Sequence, residues 1–281
     1  MPVSFQMARE SALGAIRSFS LQGYAPLSVI LFVQIVYLVL GLNLGSVAGM
    51  ATAGMIARWI AGPDALNYPA FLQVLPLTFS YVESVTFILL GAWALPRVAA
   101  TILAGSDPAL ANRDRRAARV GRAFLPTLAS LLIAFAIAYG WQRIVPFVAR
   151  PVLGLFIHGG LEMMTATWAV SVLVGYAITT LFVYVPVVAV ANDIAPMAAL
   201  SRGIRDGLSK FWVTYPMAVL FSLPALLLQM TVQTSGTFLA TRTRPENIAY
   251  VLLGYAVLGS VGTYLLWSMA ARLQRASEVG R

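Results

Sequence analysis

The chain has 281 residues, 59% of them hydrophobic and 10% charged, against about 25% charged in an ordinary soluble domain. Its mean hydropathy of +0.81 excludes a soluble globular protein. The formal charge of +9 would suggest nucleic acid in a soluble chain. In a membrane protein it reflects the Lys and Arg that gather in cytoplasmic loops, so no nucleic-acid partner is expected. The lack of cysteine excludes disulfides and thiol chemistry.

The N-terminal segment carries Phe5, Ala8, Ala12, Ile16 and Phe19 at helical spacing, with Arg9, Glu10 and Arg17 beside them. That pattern describes an amphipathic helix lying in a membrane surface. The first apolar run then starts near Tyr24 and is too long for a signal-peptide core, so no cleaved leader is expected. Spans are predicted at 24–42, 70–95, 123–147, 166–191, 212–232 and 247–270, each near the ~20 residues that cross ~30 Å of hydrocarbon. Residues 45–61, "GSVAGMATAGMIARWIA", are apolar enough for a short seventh span; an interfacial or re-entrant helix on the outer face is preferred, with Arg58 and Trp59 at headgroup level.

Between the second and third spans, "SDPALANRDRRAARVGRAF" repeats the surface-helix design. Asp107 caps it, Pro108 opens it, and Arg113, Arg115, Arg116, Arg119 and Arg122 surround an apolar face. Between the fourth and fifth, "APMAALSRGIRDGLSKFW" repeats it again. Met197, Leu200, Ile204, Leu208 and Phe211 form the stripe, and Arg202, Arg205 and Lys210 lie on the polar side. Ile16-Arg17 precede Tyr24 by the same offset at which Ile204-Arg205 precede Trp212.

These elements specify an all-α polytopic membrane helix bundle. Six transmembrane helices form three two-span repeats, about 1–103, 104–192 and 193–281, within a single integral membrane domain. A cytoplasmic amphipathic helix precedes each repeat. With the N-terminus inside, fourteen of the nineteen basic residues face the cytoplasm and five (Arg58, Arg143, Arg150, Arg242 and Arg244) face out. Both termini, including Arg281, are therefore expected on the cytoplasmic side.

Residues 184–229 contain a Val/Pro-rich run at Pro186-Val187-Val188, an acidic turn at Asp193, Ala199-Leu200 with Gly203, and Phe211-Trp212 before the next span. This segment resembles the membrane domain of bacterial glycerophosphodiester phosphodiesterases and of its stand-alone relatives. The resemblance covers about 45 residues in detail and the six-span pattern loosely. In fused members the catalytic activity belongs to a soluble barrel, for which these 281 residues leave no room. The resemblance thus implies a non-enzymatic protein of the bacterial inner membrane.

Among candidate groups, Glu83 falls near the middle of the second span with Ser80 and Ser84. An ionisable group there must face the bundle interior or water. It is either a proton or cation site, or a structural carboxyl paired with an arginine or tyrosine of a neighbouring helix. His158 and Glu162 stand four apart, but two ligands without a third do not make a metal site. Tyr176, Tyr184, Tyr250, Tyr255 and Tyr264 suit a polar passage or hydrogen bonds between helices. Gly41, Gly45 and Gly49, and Gly254, Gly259 and Gly262, are expected at close helix contacts. The sequence holds no phosphate-binding glycine loop, nucleophile elbow or His-Glu zinc motif, and no cofactor is expected. Two functions remain: a scaffold or accessory subunit contacting anionic lipid through the basic helices and partnering other membrane subunits or its own copies, or a small-solute, proton or cation transporter or channel using Glu83.

Overall fold

The computed structural model describes residues 5–67, 70–105, 108–157, 159–192, 194–242, 244 and 246–279. Asp107, His158, Asp193 and Arg281, named above, lie outside the described residues. The described chain is helical, with no strand among the described residues.

Helix α1 (Phe5–Arg17) leads into α2 (Leu21–Leu42). A short α3 (Val47–Gly49), a π-helical turn (Met50–Gly54) and α4 (Met55–Ala61) follow. Ser46 caps this composite helix by accepting from the Gly49 N–H at 2.9 Å. Gly62, at φ 85°, ends it in a conformation that favours glycine. Fifteen residues rise only about 22 Å, too short to cross, so residues 47–61 add no seventh span. Helix α5 (Ala70–Ala104) is the second long helix.

Next come α6 (Pro108–Ala111) and α7 (Arg113–Leu153). Here the structure corrects the sequence reading. The second surface helix is no separate element but the N-terminal part of α7, which continues without a break into the third span. Asn112 provides its cap, its Oδ1 accepting from the N–H groups of Asp114 at 3.0 Å and Arg115 at 3.3 Å. No proline interrupts 113–125, so once started the helix has no local reason to stop.

Helices α8 (Gly160–Phe182) and α9 (Tyr184–Asn192) form the fourth span. They are interrupted only at Val183, because Pro186 has no N–H for the Phe182 carbonyl and its ring crowds that oxygen. Then α10 (Pro196–Ser209), α11 (Phe211–Arg242) and α12 (Asn247–Val279) complete the chain. Among the described residues six helical segments are long and apolar enough to cross a membrane, which makes this an all-α polytopic bundle.

By packing the chain falls into two compact units. One comprises Met1–Leu27, Ile88–Phe221 and Gly262–Arg281; the other comprises Ser28–Phe87 and Ser222–Val261. These divisions cut across the three predicted repeats. In the first unit the C-terminal ends of the three return spans are the most buried segments. They contribute Leu95, Val98 and Ala99 from α5, Val185, Val187 and Val188 from α9, and Met269, Ala270 and Leu273 from α12. The second unit is built around Tyr37, Phe71, Leu75, Phe79, Ile248 and Leu252.

Candidate functional site

In the second unit, Glu83 has the partner its position demands. The Tyr255 hydroxyl of α12 donates to Glu83 Oε1 at 2.9 Å, and the pair is partly buried. The Tyr255 ring packs edge-on against Phe79, one turn before Glu83. The two serines expected beside the carboxyl do not join it. Ser84 donates to the Ser80 carbonyl at 2.8 Å, and Ser80 lies on an exposed position of the helix. A serine hydroxyl within a helix reaches the carbonyl four residues back, sharing it with the backbone N–H, and so finds its partner on its own helix. The arrangement can hold or release one proton between a carboxyl and a phenol. No group of three or more His, Cys, Asp or Glu able to hold a metal occurs among the described residues.

The surface helices dock in a way the hydrophobic stripe does not convey. In α1 the buried residues are Ala8, Ser11, Ala12 and Ala15, while Phe5 is 61% exposed and Ile16 51%. In α10 they are Ala199, Gly203 and Gly207, while Met197 is 76% exposed and Leu208 59%. A Cβ on Gly203 would stand 2.6 Å from the Val185 Cα, and one on Gly207 would strike the Leu181 carbonyl. Small residues at i, i+4 and i+8 let α10 press directly onto α8 and α9. Leu200 and Ile204 flank that contact against Ile178, Phe182 and Val185. The signal was present in the sequence as Ala-x3-Gly-x3-Gly, but it lay beside the more conspicuous stripe.

The eight basic residues assigned to lipid headgroups divide. Arg113, Arg115, Arg122 and Arg205 are exposed. Arg116 donates through Nε to the Leu110 carbonyl at 2.8 Å. Arg119 donates to the Ala191 carbonyl at 3.2 Å, capping the end of α9. Arg202 approaches Glu278 at 3.8 Å.

Lys210 is a correction. It is only 3% exposed and turns inward at the junction of α10 and α11. Its ammonium donates to Gln274 Oε1 of α12 and stands 4.7 Å from the centroid of the Tyr184 ring. The Gln274 amide in turn donates to Glu278 at 3.0 Å, and the Tyr184 hydroxyl shares a 2.7 Å hydrogen bond with Thr214. The helical count put Lys210 on the polar face. Its backbone, at φ −107° and ψ 7°, has already left the α10 helix, so that count no longer applies.

The tyrosines serve different neighbours: Tyr255 the carboxyl, Tyr184 Thr214, and Tyr264 an edge contact with Phe19 at 5.0 Å. Tyr176 is half-buried and Tyr250 exposed. Of the predicted contact glycines, a Cβ on Gly41 would stand 3.3 Å from Leu75 and Phe71 and one on Gly254 2.9 Å from Leu228, while one on Gly259 would make only an ordinary 3.9 Å contact with Ala225. Gly262 is buried. A Cβ on Gly49 would strike the Asn43 carbonyl of the turn before it, and one on Gly45 would meet nothing within 4 Å. Neither belongs to a packed helix seam, because the chain leaves α2 at Leu42 and the glycine spacing is carried into a turn. No protein-family model, no curated protein and no solved structure matches the chain.

Proposed function

We propose that the protein is a non-enzymatic integral membrane protein of the bacterial inner membrane, with cytoplasmic termini. It works by contact, as a scaffold or accessory subunit that gathers anionic lipid along its basic surface helices. The observation that carries this reading is the inward turn of small residues in α1 and α10. It leaves Phe5, Ile16, Met197 and Leu208 on the outside together with Arg9, Arg17 and Arg205. Large apolar side chains flanked by arginines suit the boundary between acyl chains and anionic headgroups.

We also place the chain with the membrane domain of the glycerophosphodiester phosphodiesterases and its stand-alone relatives. Of the residues that carry that resemblance, Pro186, Ala199 and Gly203 lie in or against the α9–α10 contact, while Trp212 is exposed and Asp193 lies outside the described residues. The shared motif is then a packing unit, as a contact protein requires, and the partners would be other membrane subunits or further copies of this chain. The test is lipid retention through purification of the Arg113→Gln/Arg115→Gln/Arg205→Gln variant. It is expected to lose anionic lipid, keep zwitterionic lipid and stay folded. Unchanged retention removes the reading.

A second reading, a proton or cation pathway, rests on the partly buried Glu83–Tyr255 pair within a span. It requires flux in liposomes that vanishes in Glu83→Gln. The contact reading expects no flux in either protein.

A further inference from the structure

Arg97 lies in α5 within the most buried stretch of the first unit, between Leu95 and Val98. It is partly exposed, as are Trp93 and Thr101 one turn before and after it. The three form a narrow open strip on an otherwise enclosed segment. The guanidinium is held in place: Nη1 donates to the Trp93 carbonyl at 2.8 Å, and the group stacks 4.2 Å over the Trp93 ring. No carboxylate pairs with it among the described residues. The contrast within the chain is clear, because Arg202 has Glu278 and Arg119 has the carbonyls that end α9. Arg97 has one neutral carbonyl and a ring. Most of the five N–H donors of a guanidinium remain unused.

Its depth is informative. The apolar run 70–95 has its midpoint at Val82–Glu83. Arg97 is fourteen residues further on, about 21 Å along the axis and about 20 Å after an ordinary ~20° tilt. The hydrocarbon ends ~15 Å from the bilayer centre and the headgroup region extends to ~20–22 Å. By the same count Trp93 stands ~15 Å out, where interfacial tryptophans gather. Arg97 is therefore at the level of the lipid phosphates, oriented in advance and with no carboxylate counter-ion among the described residues.

We propose that Arg97, braced by Trp93, binds one phosphate group, that of an anionic phospholipid in the adjacent leaflet. This deepens the lipid-contact reading, on which it rests, by adding a single saturable site to a diffuse basic surface. A planar guanidinium suits a phosphate because two of its donors reach two oxygens at once.

The test uses the full chain in nanodiscs and in detergent, titrated with phosphatidylglycerol, with phosphatidylcholine and with inorganic phosphate, and read by native mass spectrometry. Wild type is expected to hold one phosphatidylglycerol more tightly than the rest, and inorganic phosphate should not displace it. Arg97→Gln should weaken that one lipid about tenfold or more, the size of one lost charge-assisted hydrogen bond. Arg97→Lys, which keeps the charge and loses the paired donors, should fall between and carries the test if Arg97→Gln does not assemble. Arg113→Gln/Arg115→Gln/Arg205→Gln should lower the diffuse lipid and spare the tight one. If that variant sheds lipid while Arg97→Gln and Arg97→Lys both match wild type, the site is wrong and the contact reading stands. If no variant sheds lipid, both fail. Displacement by inorganic phosphate, or equal binding of phosphatidylcholine, overturns the assignment to an anionic lipid.

Discussion

A single lysine shows how a residue's role departs from its place in a pattern. Lys210 is the only lysine in the chain, and a helical wheel assigns it to the solvated face of α10. One step beyond the helix end the backbone turns, and the ammonium enters the protein between Tyr184 and Gln274. Removing one partner of a buried charged hydrogen bond costs more than the bond contributes, because the other partner stays desolvated. Lys210→Met is therefore expected to lower stability by about 1.5–3 kcal/mol, read as a fall in Tm in detergent. Adding Gln274→Leu should return part of that loss, since the stranded amide goes with it. Additive losses in the double variant would show that the two side chains are not coupled. The Glu83 pair was more legible. A carboxyl in mid-span demands a partner on another helix, and tyrosine was among those expected. Which tyrosine only the packing of α12 beside α5 within the second unit decides.

At the level of elements, the first and third surface helices were legible as helices, but the small-residue face through which they dock was not. Large apolar side chains announce a stripe, but the closest approach is made where side chains are missing. Gly203→Ala places a Cβ against the Val185 backbone, and an overpacked contact of this kind costs about 1–3 kcal/mol. Gly121, within α7, has nothing within 4 Å of an added Cβ. Gly121→Ala is expected to stabilise by about 0.5–1 kcal/mol through helix propensity alone. The two variants differ by one methyl group each, and their Tm shifts should have opposite sign. A matching fall in both would mean that α10 does not dock through Gly203. The merging of the second surface helix into α7 belongs to the same scale. A surface helix and a span separate only where something stops the first, and Asn112 starts a helix that nothing before Pro126 obstructs.

For the whole molecule, the six spans and the basic bias predict one orientation. Single cysteines at Ser201 and Asp64, in this cysteine-free chain, should be labelled by an impermeant thiol reagent from opposite sides. Position 64 should react from outside and position 201 only after the membrane is opened; labelling of intact cells at 201 would reverse the topology. Composition and run length alone marked the chain as a multi-span membrane protein with six long apolar runs, because the hydrophobic effect acts on each side chain and ~20 apolar residues in a helix match the thickness of the hydrocarbon; the short helix 47–61 needed the structure to remove it as a seventh. Composition and run length also placed an ionisable group where it had to be paired. The tertiary structure alone decided the faces and the partners: α10 seated on α9 through Gly203 and on α8 through Gly207, Lys210 drawn inside, Arg119 spent on the end of α9, and Arg97 stacked on Trp93 with no carboxylate partner among the described residues. The difference has a physical cause. Transfer into lipid depends on what each residue is, and so can be summed along the chain. Packing depends on which atoms meet, and small residues meet most closely while contributing least to any hydropathy sum.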